Sequence, residues 1–123
     1  MIEGVVNAAL EAVVTLPLRG PDGQVREVEA VIDTGYSGYL TLPPALTAEL
    51  GLDFRGNGHA YLANDAEVEF DVYSMIVLWD SQPRDIEADA TGSTPLVGML
   101  LLDGHDLSVE VRDAGRVIIQ AGE

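Results

Sequence analysis

Apolar and polar positions alternate along most of this chain in short runs, and Gly, Pro, Asn and Asp interrupt them at short intervals, the pattern of successive β-strands. Residues 5–18 form one β-prone run of Val, Leu and Thr. A turn follows at 19–23, where Pro21 and Gly23 stand where turns use them. Residues 24–32 return as a strand whose early part interleaves Val25, Val28 and Ala30 with Arg26, Glu27 and Glu29, completing a hairpin. Pro43 and Pro44 open a short helical turn that ends at Gly51. Residues 55–58 read as a loop. Two β-prone segments, 60–63 and 68–73, then meet around Asn64 and Asp65 as a second hairpin.

Downstream, residues 74–79 continue as a buried strand, 80–83 read as a turn, and 84–90 as a strand alternating Ile86 and Ala88 with a solvated face of Asp85, Glu87 and Asp89. Residues 91–94 connect to Pro95-Leu96-Val97-Gly98, which with residues 99–104 reads as a strand passing into a short buried helix. Residues 106–111 alternate again, 113–115 turn, and 116–119 close the chain as a strand. The expectation is a mainly β protein with one or two short helices. With no repeat or dividing linker, residues 1–123 form a single domain large enough for a modest core.

Charge narrows the partners. Twenty-one Asp and Glu stand against six Arg and no Lys, a net charge of −15, so neither nucleic acid nor an anionic membrane is an expected partner. A salt-rich cytoplasm and simple genomic bias both account for the missing Lys. The absence of Cys removes disulfides, thiolate metal sites and cysteine nucleophiles. The N-terminal stretch has no basic region, and Glu11 interrupts it well short of a spanning length, so a soluble cytoplasmic location is expected.

Candidate chemistry converges on Val31-Ile32-Asp33-Thr34-Gly35-Tyr36-Ser37-Gly38, an apolar strand that delivers one carboxylate into a tight turn. Gly35 admits a backbone shape and a close approach that a Cβ would forbid. Asp, Thr and Gly also build ordinary turns, so the tripeptide alone decides nothing. His59 and His105 lack metal-ligand spacing and read as surface or turn residues, and no metal or other cofactor is implied. Ser37 has no Gly-x-Ser-x-Gly frame around it, and Trp79 and the tyrosines read as core or interface.

With its flanking strands, Asp33-Thr34-Gly35 stands beside Pro43-Pro44-Ala45-Leu46-Thr47-Ala48-Glu49-Leu50-Gly51-Leu52 and Pro95-Leu96-Val97-Gly98-Met99-Leu100-Leu101-Leu102. Together these make the chain resemble the retropepsin-like aspartic proteases. It is most similar to the small single-domain prokaryotic branch in which an aromatic residue follows Asp-Thr-Gly. The resemblance spans residues 12–119 and is sharpest at Asp33-Thr34-Gly35 and Leu96-Val97-Gly98.

The resemblance implies a closed β-barrel of the acid-protease fold, one lobe per chain, with residues 95–98 threading behind the catalytic loop. It implies an aspartic endopeptidase acting on a peptide or protein substrate. One Asp-Thr-Gly per chain then requires a homodimer, so that two copies of Asp33 share a proton and activate water. Thr34 bonds across the dimer axis, Gly35 supports Asp33 through its amide, and Ser37 offers a hydroxyl to the loop or the substrate backbone. The second hairpin is the flap that closes over substrate, with Asn64 and Asp65 at its tip.

Two departures accompany the likeness. Tyr36 stands where retroviral relatives have Ala and pepsin-like ones Ser or Thr, so its phenol either narrows the pocket or belongs to the core. The flap tip, Ala63-Asn64-Asp65-Ala66, lacks the usual glycine, although Asn64 can adopt a positive φ. Both departures keep open a second function, a retropepsin-like module that dimerises and binds but hydrolyses little.

Overall fold

The computed structural model describes residues 1–61 and 63–122. Ten strands and two short helices follow one another: β1 (Ile2–Val6), β2 (Ala12–Arg19), β3 (Val25–Ile32), β4 (Leu40–Leu42), α1 (Pro44–Glu49), β5 (Asp53–Tyr61), β6 (Glu67–Trp79), β7 (Gln82–Ala90), β8 (Leu96–Val97), α2 (Met99–Leu102), β9 (His105–Val109) and β10 (Arg116–Ala121). The strands form one sheet in the order β5-β6-β7-β4-β8-β3-β2-β1-β10-β9. A further pairing sets Leu18 opposite Val77 and Arg19 opposite Ile76. It joins β2 to β6, so that β2, β3, β8, β4, β7 and β6 form a closed circuit of hydrogen-bonded neighbours in a mainly β fold.

Period-two patterning builds this circuit. On β2, Val14, Leu16 and Leu18 are buried while Thr15 faces out, and β3 pairs antiparallel along its whole length, from Val13 opposite Val31 to Arg19 opposite Val25. The reverse turn between them uses Gly23 at φ +83°. Leu40, Leu42, Val97 and Leu101 meet the β2 face in a core from which water is fully excluded. Pro44 starts α1 and Gly51, at φ +61°, follows its end, as the sequence predicts.

Two elements differ from expectation. The run over 5–18 is two strands, because the chain reverses at 7–11, where the Asn7 side-chain oxygen accepts the amides of Ala9 (3.1 Å) and Glu11 (2.9 Å) and Leu10 takes φ +62°. The reversal places β1 between β2 and β10. Residues 55–58 are strand rather than loop, because their backbone groups pair with β6 across a bulge between Phe54 and Gly56. Gly58 stands opposite Phe70, whose ring occupies the space a Cβ would need, 2.4 Å away.

The segment read over 68–73 and its continuation over 74–79 are one continuous strand, β6. Its burial changes phase at Tyr73 and Ser74: Val72 is buried on one side of that pair, and Met75, Val77 and Trp79 on the other. The bulge in β5 lies opposite this point.

Candidate active site

The loop 33–39 leaves the carboxyl end of β3 and returns as β4, and β8 lies between those two strands. Val31 and Ile32 pair in parallel with Leu96 and Val97, while Leu40 and Thr41 pair antiparallel with the same two residues. The Asp33 N–H donates to the Val97 carbonyl at 2.9 Å, and the amides of Gly98, Met99 and Leu100 donate to the carbonyls of Tyr39, Tyr36 and Gly38 at 2.9, 2.9 and 3.1 Å. A Cβ on Gly98 would sit 2.1 Å from the Gly38 carbonyl oxygen, so only glycine allows this approach. Thr41 contributes from beneath, its buried hydroxyl accepting the Leu96 amide at 3.0 Å.

Asp33 is thereby fixed at both ends. Its backbone carbonyl accepts the Tyr36 amide at 3.1 Å, and its Oδ1 accepts the Gly35 amide at 2.9 Å. The carboxyl is half-buried, whereas Thr34, Gly35 and Ser37 are exposed around it. Thr34 and Ser37 also border a shallow depression of about 410 Å³ beside Met99 and Leu100, which are 49% and 44% exposed.

A cavity of about 610 Å³ joins the loop to the β5–β6 hairpin. Asp33, Gly35, Tyr36 and Ser37 form its floor, and His59, Ala60, Tyr61, Val68 and Phe70 its far wall. Asn64 and Asp65 lie at the hairpin turn and are not among the residues lining the cavity. There the Asn64 side chain accepts the Ala66 amide at 3.1 Å, and Asp65, not Asn64, takes the positive φ, +63°.

Tyr36 is half-buried and lines the cavity rather than belonging to the core. Its ring packs over Gly38 and Gly98, and its hydroxyl donates to Asp89 Oδ2 at 2.5 Å. Burial, followed by the bond and the charge of Asp89, raises the phenol far above the ordinary tyrosine range. Asp89 is also raised, mainly by burial with help from Glu87, while the Tyr36 hydrogen bond pulls the other way.

This corrects the expectation for β7. Asp85 and Glu87 do face solvent, but Asp89 is half-buried and turned into the cavity wall, because the parallel partner strand β4 sets Thr41 beside it and brings the loop over it.

Strict alternation with two exposed acids concealed Asp89, and no sequence signal distinguishes it from them. Arg84 was equally hidden: its guanidinium donates to the Leu101 carbonyl at 3.0 Å and lies 5.9 Å over the Tyr39 ring, tying the end of α2 to the loop. His59 pairs through Nδ1 with Glu67 at 2.6 Å on the hairpin. His105 accepts the Trp79 indole N–H at Nε2 (3.1 Å), which leaves Nδ1 to donate to the Asp103 carbonyl (3.0 Å), and Trp79 is core.

This arrangement has a structural counterpart. A retropepsin-like aspartic protease from Rickettsia conorii superposes with a TM-score of 0.61 at 15% sequence identity, covering 99% of this chain and 91% of that one. The fold of the chain is therefore that of the retropepsin-like aspartic proteases. No protein-family model and no curated protein matches the sequence.

Proposed function

We propose that the chain is one half of an aspartic endopeptidase, completed by a second copy. The observation that carries this reading is Asp33, held by the Gly35 amide on an exposed loop at the floor of a cavity large enough for several residues of an extended peptide. A lone carboxylate so presented lacks the acid that must protonate the scissile carbonyl. A two-fold partner supplies it.

Two Asp33 carboxyls at hydrogen-bond distance cannot both ionise in a partly buried site, so they share one proton and titrate as a pair. The ionised member takes a proton from water, the protonated member donates to the carbonyl oxygen, and the water oxygen bonds to the carbonyl carbon. The resulting tetrahedral diol collapses with proton transfer to the amine, breaking the C–N bond. Exposed Thr34 is available to bond across the axis, and the apolar Met99 and Leu100 beside it are suited to burial against a second copy.

The alternative, a module that dimerises and binds without hydrolysis, draws on the Tyr36 ring, which occupies cavity volume beside Asp33. Asp33→Asn separates the two. Loss of acid-range peptide cleavage by roughly 10²- to 10⁴-fold with dimerisation retained supports the endopeptidase. Cleavage that is absent in the native chain, with biological activity unchanged in the variant, supports the binding module.

A further inference from the structure

Asp89 is the feature of the cleft that peptide hydrolysis leaves without a role. It lines the same 610 Å³ cavity as Asp33, where the apolar Val68, Phe70 and Leu96 and the Tyr36 ring stand among polar neighbours that include Thr41 and Thr91. One carboxylate oxygen, Oδ2, is held by the Tyr36 hydroxyl. Among the described residues the other oxygen has no hydrogen-bond donor, and no Arg, Lys or His forms an ion pair with the group.

A half-buried carboxylate with one free oxygen loses hydration without gaining a counter-charge, and a cation entering the cavity restores the balance. The protein's own cations are engaged elsewhere or remote: Arg84 is committed to α2, and His59, the one cationic candidate on the cavity lining, is paired with Glu67. Tyr36 fixes the rotamer of Asp89, so the free oxygen is aimed before any ligand arrives, which cuts the ordering cost of binding.

We propose that Asp89, held by Tyr36, is a specificity site that binds a basic side chain, Arg or Lys, of a peptide lying in the cleft. The proposal rests on the reading of the cleft as a peptide site. It does not require that the bond be cut. The apolar walls accept the methylene stem of the basic residue while its charged end reaches Asp89, a division that suits Arg and Lys and no other natural side chains. The acidic surface of the chain adds long-range attraction for such peptides.

The test uses the full chain carrying Asp33→Asn, so that peptides bind without being cleaved. Decapeptides of one neutral scaffold, with Arg, Lys, citrulline or Leu placed at each position in turn, are titrated by fluorescence anisotropy. At one position Arg and Lys are expected to bind roughly tenfold tighter than citrulline, as a charge-assisted bond in a desolvated cleft provides.

Adding Asp89→Asn, which keeps an oxygen for the Tyr36 hydroxyl, should abolish the preference and leave citrulline binding unchanged. Tyr36→Phe should reduce it severalfold. Equal affinity for Arg and citrulline at every position, a preference that survives Asp89→Asn, or no peptide binding at all overturns the proposal. The native chain, incubated with the same peptides, reports separately on hydrolysis: an Arg preference without any cleavage removes the endopeptidase and keeps this site.

Discussion

Gly98 shows how much of the site hangs on single atoms. Any side chain there drives a Cβ into the Gly38 carbonyl and the Tyr36 ring, both fixed by the same backbone bonds. Gly98→Ala is expected to cost about 3 kcal/mol or more in chemical denaturation, because rigid backbone, not a flexible side-chain end, has to give way. Tyr36 and Asp89 make opposite ends of the pH range informative. The Tyr36 phenol is raised, so the folded chain holds that proton more tightly than the unfolded one. Its contribution to stability is intact below about pH 10 and lost as the pH climbs further.

Phenolate absorbance should therefore show one of the four tyrosines resisting ionisation above about pH 10 until the chain unfolds, and Tyr36→Phe should remove that fraction. Asp89, also raised, contributes stability present below about pH 4 and lost as the pH rises through its folded value. Thermal melts of Asp89→Asn across that window should be flatter than those of the native chain.

At the level of elements, the reversal at 7–11 carries a measurable local cost. Leu10 sits at φ +62°, a conformation that costs a residue with a Cβ about 1 kcal/mol relative to glycine, and its side chain is largely exposed. Leu10→Gly is expected to raise stability by up to about 1 kcal/mol, read as a higher denaturant midpoint at unchanged slope. The same residue explains why this turn was illegible: Leu in a Val-, Leu- and Thr-rich stretch signals strand, and only the Asn7 cap marks the break. Strand 55–58 was hidden for the converse reason, since Gly56 and Gly58 imply a loop, yet one serves a bulge and the other makes room for Phe70.

What was legible had strong local chemistry. The β2–β3 hairpin, the proline-led α1 and the Leu96-Val97-Gly98 strand entering α2 follow from turn residues, capping preferences and apolar runs that tertiary packing reinforces. Asp33 and Gly35 could be read because their arrangement is local, carboxylate to amide two residues on. The Tyr36–Asp89 bond spans 53 positions and depends on β7 lying parallel to β4, which no periodicity encodes.

For the molecule as a whole, charge opposes the association that the proposed chemistry needs. Each copy carries −15, so two copies meet across a repulsive field, relieved by added salt within a Debye length of about 10 Å at 0.1 M. Light scattering should find the dimer fraction rising with ionic strength, the reverse of the usual response of a surface held by ion pairs. A monomer at every concentration and salt level would leave Asp33 without a partner and end the dyad mechanism.

The position of β8 also bears on when the proposed site can form. The backbone bonds that tie Asp33, Tyr36, Gly38 and Tyr39 to the strand beside them come from residues 97–100, so during synthesis the acid is made 64 positions before the Val97 carbonyl that accepts its amide. Such distant pairing makes for slow, concerted folding. A nascent or truncated polypeptide ending before β8 should accordingly carry Asp33-Thr34-Gly35 on an unclamped loop, so the proposed chemistry has to wait for that strand.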